Sequence, residues 1–130
     1  MIYLDTSAAV KLVAVDEESA ALIDWLNAHP DENLATNAIG HIELIRVAAR
    51  AGPNAAALAR NVASTIDTLV LTDTIASAAA TIPPAELRTL DAIHLAAAAS
   101  MRGSLAAFVT YDKKLGAAAK EAGLPALSPA

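Results

Sequence analysis

Short apolar runs that alternate with helix-forming stretches predict an α/β domain of three layers, α/β/α, around a mostly parallel sheet of about five strands. Three observations carry this reading. The alternation continues along the whole chain. Two of the apolar runs, "IYL" and "AFVTY", end abruptly in a carboxylate, as strands do where they meet a polar sheet edge. And the 55% apolar share rests on 34 alanines with only four aromatic residues, a composition suited to closely packed helices.

The elements follow in order. "MIYLD" reads as a short buried strand, and "SAAVKLVAV" as a short helix. "DEESAALIDWLNAHP" is a second helix with acids in its first turn, as the helix dipole favours, and with Leu22, Ile23 and Leu26 on its apolar stripe. Pro30 and Asp31 end it. "ENLATN" is a strand, and "NAIGHIELIRVAARAG" a helix with Gly52 at its end. Pro53 suits the start of the next helix, "PNAAALARNVASTI". "DTLVLTD" reads as the clearest central strand, and "TIASAAATI" as a helix stopped by Pro83 and Pro84. "LDAIHLAAAASMRG" is helical to Gly103, "LAAFVTYD" is a strand, "KKLGAAAKEAG" a helix to Gly123, and "LPAL" a brief last strand. The strands are thus expected near 2–5, 33–36, 68–71, 106–110 and 124–127.

A chain of 130 residues can bury a core without cross-links, and no linker, repeat or composition break divides it, so a single domain over 1–130 is expected. With no cysteine there is neither a disulfide framework nor thiolate chemistry, and a cytoplasmic protein is the default expectation. No stretch approaches the ~20 apolar residues that span a bilayer, so no membrane partner is expected. A net charge of −5 and a pI near 5.0 argue against broad electrostatic capture of nucleic acid. They do not argue against a nucleic-acid enzyme, because acids gathered around a divalent cation count as negative in the formal charge.

In parallel α/β folds, ligands gather outside the carboxyl ends of the strands. Asp5 and Asp112 each follow a strand directly, and Asp91 lies at the start of a helix after the turn-forming "PPAELRTL". Glu43 sits between Ile42 and Leu44 in the second turn of its helix, where an acid is costly unless paired or bound to a cation. Each has an ordinary structural reading as well. Asp5, Asp91 and Asp112 can cap helices; Glu43 can pair with Arg46 or Arg50; His94 fits a core position, and His29 and His41 fit surface or packing ones. The runs at 16–18 and 113–114 read as solvated helix starts.

Four stretches, "MIYLDTSAAVKL", "IGHIELIRV", "LDAIHLAAAA" and "FVTYDKKL", in this order and over nearly the full chain, resemble the signature blocks of PIN domains, specifically the bacterial VapC-type ribonuclease toxins. The resemblance implies a PIN-like fold and assigns the acidic quartet to Asp5, Glu43, Asp91 and Asp112. Thr110 corresponds to the polar residue that supports the last acid, and Thr6 or Ser7 flanks the first. It further implies an endoribonuclease acting on single-stranded or loop RNA, a VapB-type antitoxin as partner, and a homodimer. Alanine-rich helices at 53–65 and 76–82 offer faces for such packing.

Four carboxylates without thiols select hard, oxygen-loving cations, so Mg2+ or Mn2+ is expected rather than zinc. Such ions activate water and neutralise charge on a phosphate, which matches phosphodiester hydrolysis. Asp5, Asp91 and Asp112 are the expected direct ligands, Glu43 binds through water or orients the nucleophile, and His94 stands beside the pocket. Close like charges are also expected to raise at least one carboxyl pKa in the metal-free site. Two other readings stay open. A haloacid-dehalogenase-like phosphatase also uses an Asp after its first strand, but expects a second Asp where Ser7 stands. A non-catalytic module could use the acids to hold an ion or dock a basic partner.

Overall fold

The computed structural model describes all 130 residues. Five parallel strands, β1 (Ile2–Leu4), β2 (Leu34–Asn37), β3 (Ile66–Leu69), β4 (Ala107–Val109) and β5 (Ala126–Leu127), form one sheet in the order β3-β2-β1-β4-β5. The connections carry α1 (Thr6–Val10), α2 (Ser19–Asn27), α3 (Ala38–Ala51), α4 (Pro53–Ser64), α5 (Asp73–Thr81), α6 (Thr89–Ser100) and α7 (Lys113–Glu121). The expected three-layer α/β/α class is observed.

The period of two along a strand decides the layers. Ile2 and Leu4 of β1, with Ala107 and Val109 of β4, face one way and pack against Ala8, Leu22, Leu44 and Ala59 of α1 to α4. Tyr3 and Phe108 face the other way, stacked with ring centroids 5.4 Å apart, against Leu95 of α6 and Leu115 of α7. Two small cores thus clamp a sheet whose middle strand, β1, is buried on both faces. Its carboxyl end opens at Asp5.

Local chemistry sets the helix boundaries. Gly52, at φ +119°, separates α3 from α4 in a conformation that a side chain would disfavour. Asn37 and Thr72 cap α3 and α5 by accepting the backbone N–H of Gly40 and Ile75.

The structure corrects the sequence reading in four places. "DTLVLTD" is not central. Its strand is β3, at the sheet edge and two residues earlier than expected, because the ladder with β2 stops at Leu69 and leaves Val70 72% exposed. The acids at 16–18 precede α2 instead of forming its first turn; Asp16 and Glu18 both pair with Lys11. The first helix closes at Val10, well short of "SAAVKLVAV". And α6 ends at Ser100, with Gly103 inside a separate 3-10 turn at Arg102–Ser104. No helix is long and apolar enough to cross a membrane.

Candidate acidic active site

Asp5 follows β1 and is 3% exposed. Its carboxylate accepts the backbone N–H of Ala8 at 2.9 Å, so it does cap α1, and it also accepts the Ser7 hydroxyl at 2.6 Å and the Thr110 hydroxyl at 2.5 Å. Those hydroxyls are themselves held by the other strand. Tyr111 N–H donates to Ser7 Oγ, and Asp112 N–H to Thr110 Oγ1. The carboxyl ends of β1 and β4 are therefore laced through two hydroxyls onto one carboxylate. Burial pushes the Asp5 carboxyl above its ordinary range, and the three donated hydrogen bonds only partly offset it. The cause is lost hydration, not the neighbouring acids.

Asp112 likewise caps α7 through Leu115 N–H at 2.9 Å while turning a carboxylate edge to the pocket. Asp91, in the first turn of α6, caps nothing: Arg88 occupies the position before the helix, and its Nε lies 3.2 Å from Asp91 Oδ2. Arg88 Nη2 is also 3.6 Å from Asp112 Oδ2, so one guanidinium spans both acids.

Glu43 does not pair with Arg46 or Arg50. It receives the Thr6 hydroxyl at 2.7 Å and faces His94 Nε2 at 3.6 Å. Donor accounting orders the cluster behind it. Asn37 Nδ2 can only donate, and reaches Tyr3 Oη at 2.8 Å; Tyr3 O–H then donates to His94 Nδ1 at 2.8 Å. His94 accordingly carries its hydrogen on Nε2 and donates to Thr6 Oγ1 at 3.1 Å, whose own hydrogen goes to Glu43. The contact with His94 holds the Glu43 carboxyl below its ordinary range; burial, the next largest effect, opposes it, and the Thr6 hydroxyl adds to the lowering. Glu43 is thereby kept ionised and pointed.

Asp5, Thr6, Ser7, Glu43, Asp91, His94 and Asp112 all line one cavity of about 350 Å3, roofed by Arg88, Thr89 and Leu90. Thr110 lies beneath it, buried against Asp5. The donors are oxygens of carboxylates and hydroxyls, which fits a hard divalent cation, and the Arg88 guanidinium already places a positive charge between two of them. No three acidic or histidine side chains approach closely enough for one ion to be ligated by all of them together.

Two participants, Tyr3 and Arg88, escaped the sequence reading, and Asn37 has a role in the site that the sequence reading did not assign. Tyr3 looks like one more apolar strand residue, although a buried phenol needs a hydrogen-bond partner, and that requirement was the available signal. Asn37 is a helix cap whose amide has a second use. Arg88 lay within a stretch read only as a turn, although its spacing of three from Asp91 is that of a helical ion pair.

A parallel α/β domain that collects carboxylates from several segments at the carboxyl edge of its sheet defines a class of acidic sites whose oxygens suit a hard divalent cation. The PIN domain family model matches residues 2–121, and the chain belongs to that family. It is 46% identical to Ribonuclease VapC47 of Mycobacterium tuberculosis (strain CDC 1551 / Oshkosh), over 99% of this chain and 97% of that protein. It is 40% identical to Ribonuclease VapC35 of the same strain, with the same coverage. Ribonuclease VapC46 of Mycobacterium tuberculosis (strain ATCC 25618 / H37Rv) is 36% identical over 98% of this chain and 97% of that protein.

Proposed function

We propose that this chain is a Mg2+- or Mn2+-dependent endoribonuclease, the toxin of a VapBC-type toxin–antitoxin pair, with Asp5, Glu43, Asp91 and Asp112 as its catalytic acids. The observation that carries the reading is the convergence of these four carboxylates, from four separate segments, on one small cavity. The ribonuclease names of relatives aligned over nearly the whole chain support the substrate class.

In this reading Asp5, Asp91 and Asp112 would hold the cation once the Asp91 and Asp112 side chains turn from Arg88 toward Asp5, since as they stand no three acids reach one ion. When bound, the ion supplies an activated water and neutralises charge growing on the phosphate. Glu43 does not share that task. Ionised and fixed by Thr6 and His94, it orients the attacking water, which passes its proton to solvent. As the water oxygen bonds to phosphorus, the bond to the leaving ribose oxygen breaks, and that oxygen takes up a proton from solvent. Ser7 and Thr110 position Asp5 without touching substrate. Single-stranded or loop RNA is the fitting substrate, since its backbone and bases are accessible to an open pocket.

Sequencing the RNA ends made by the purified, partner-free chain tests this function. Cleavage at defined positions that stops on chelation of divalent cations is expected. An aspartyl-phosphate trapped on Asp5 would instead indicate a phosphatase, and RNA cleavage undiminished in D5N would indicate a binding module with a contaminating nuclease.

The antitoxin belongs to the same proposal. A crowded acidic pocket takes an arginine or lysine from a partner's tail in place of the metal, by charge-assisted hydrogen bonds to the carboxylates. Excess Mg2+ or Mn2+ is therefore expected to weaken inhibition by such a tail. Inhibition indifferent to metal would put the antitoxin's grip elsewhere.

Homodimerisation completes the reading. The α3–α4 hairpin leaves Ile42, Ile45 and Leu58 exposed, and α5 exposes Ala76, Ala78 and Ala80. Light scattering at micromolar concentration is expected to give twice the 13.2 kDa chain mass, and a monomer mass would count against the dimer.

A further inference from the structure

Of the nine lysines and arginines in the chain, Arg88 alone pairs with acids of the pocket. Lys11 is committed to Asp16 and Glu18. Arg88 stands immediately before α6 in extended backbone, φ −63° and ψ 152°, so its side chain can turn without disturbing the helix. That side chain is 78% exposed, and exposed ion pairs are weak and easily exchanged. It stands where two hollows meet. Arg88, Asp91 and Asp112 line the acidic cavity and also a groove of about 970 Å3, whose lining carries Lys113 and Lys114 at the start of α7 together with the acids Glu86 and Glu121.

We propose that Arg88 is a displaceable counter-cation. It holds the Asp91 and Asp112 carboxylates until a divalent ion takes their oxygens, then turns into the adjoining groove to hold an RNA phosphate beside Lys113 and Lys114. The inference rests on the nuclease reading above. Its first half follows from competition for the same atoms: Asp91 Oδ2 and Asp112 Oδ2 face the guanidinium, and a small hard ion needs such oxygens at about 2.1 Å. Its second half follows from placement, since Arg88 also lines the groove in which Lys113 and Lys114 stand, and those two lysines outnumber neither Glu86 and Glu121 nor the phosphates of an RNA strand, so a third cation there adds to the hold on phosphate. A guanidinium is suited to that role, as its planar fork matches phosphate oxygens. Metal and RNA would then assist each other, because each favours the state in which Arg88 has left the acids, and such coupling is reciprocal.

Calorimetric titration of Mn2+ into the wild-type chain and R88Q tests the exchange. Removing a competitor held by two exposed pairs is expected to tighten Mn2+ binding about two- to tenfold. The KM for RNA cleavage should rise several-fold in R88Q with kcat changed less, and R88K should fall between the two proteins in both measurements. Equal or weaker Mn2+ binding by R88Q, where D112N loses Mn2+, overturns the exchange and leaves the metal site standing. Tighter Mn2+ binding with an unaltered KM overturns the phosphate-holding half. Absence of Mn2+ binding to wild type, R88Q and R88K alike overturns the metal-site reading and this proposal with it. Thermal melts of R88Q should match wild type, as befits an exposed side chain.

Discussion

Asp5→Asn is expected to lower metal-dependent RNA cleavage by about a thousandfold or more, while the protein folds as before. Asp5 is the most buried of the four acids and the one held by the most hydrogen bonds, so it presents its remaining lone pairs to the pocket with little freedom. An amide can keep that scaffold. Its oxygen still accepts Ala8 N–H and the Ser7 hydroxyl, and its nitrogen can donate to Thr110 Oγ1. What it cannot supply is the negative charge.

The pH dependence of stability separates these roles. Because burial raises the folded Asp5 pKa above its unfolded value, protonation favours the folded state. That stabilisation is full below the unfolded carboxylate range and is lost as the pH rises through the folded value. At neutral pH without metal, D5N should therefore melt at the same temperature as wild type or higher, and the difference should shrink on acidification. Glu43 has the opposite sign: its depressed pKa stabilises the fold above the unfolded carboxylate range, and this is lost as the pH falls through the folded value. Melting curves of wild type, D5N and E43Q in chelator across pH 3 to about 8 read both effects. A D5N protein that keeps full cleavage would remove Asp5 from the site.

Gly40→Ala is the second large effect, on stability. A Cβ at this position in α3 would lie 2.4 Å from Thr36 Oγ1 and 3.1 Å from His94 Cε1. Real contacts are not that short, so α3 must shift away from β2 or His94 must leave its hydrogen bonds to Tyr3 and Thr6. A loss of about 1–3 kcal/mol is expected, the range for overpacked cores. The Thr36 hydroxyl is buried without a hydrogen-bond partner of good geometry, so T36A alone should cost only the burial of its γ-methyl, about 1 kcal/mol. In the double variant the clash with oxygen is gone and only a 3.4 Å contact with Thr36 Cβ remains, beside the His94 contact. T36A is therefore expected to rescue much of the G40A defect, a coupling that urea denaturation of the four proteins measures as a double-mutant cycle. Simple additivity would show that the oxygen is not what limits the approach of α3.

The fold class was legible because strand-length apolar runs and helix caps recur along the chain, and because a carboxylate stands directly after β1 and another three residues beyond β4. Within the site, capping does not exclude a place in the pocket: Asp5 and Asp112 each cap a helix with a carboxylate while lining it. For Glu43 the helical neighbours Arg46 and Arg50 suggested a local ion pair. The partner is instead His94, brought from α6 by the sheet, a contact that sequence spacing cannot reveal. Tyr3 and Arg88 were hidden for opposite reasons: the first by an apolar run that masks its one polar atom, the second by a loop where charge is ordinary. β3 was misjudged because hydropathy marks where a strand is apolar, not where its partner ends. The ladder with β2 stops at Leu69, so Val70 and Leu71 never pair.

The central claim is that Asp5, Asp91 and Asp112 share one divalent cation at the carboxyl edge of the sheet. Anomalous diffraction from crystals grown or soaked with Mn2+ tests it most directly. The account predicts one peak within about 2.2 Å of carboxylate oxygens of all three residues, with the Arg88 guanidinium drawn away from Asp91. A peak bound by other residues, or a pocket that takes no Mn2+ while Arg88 keeps its bridge to Asp91 and Asp112, would contradict it.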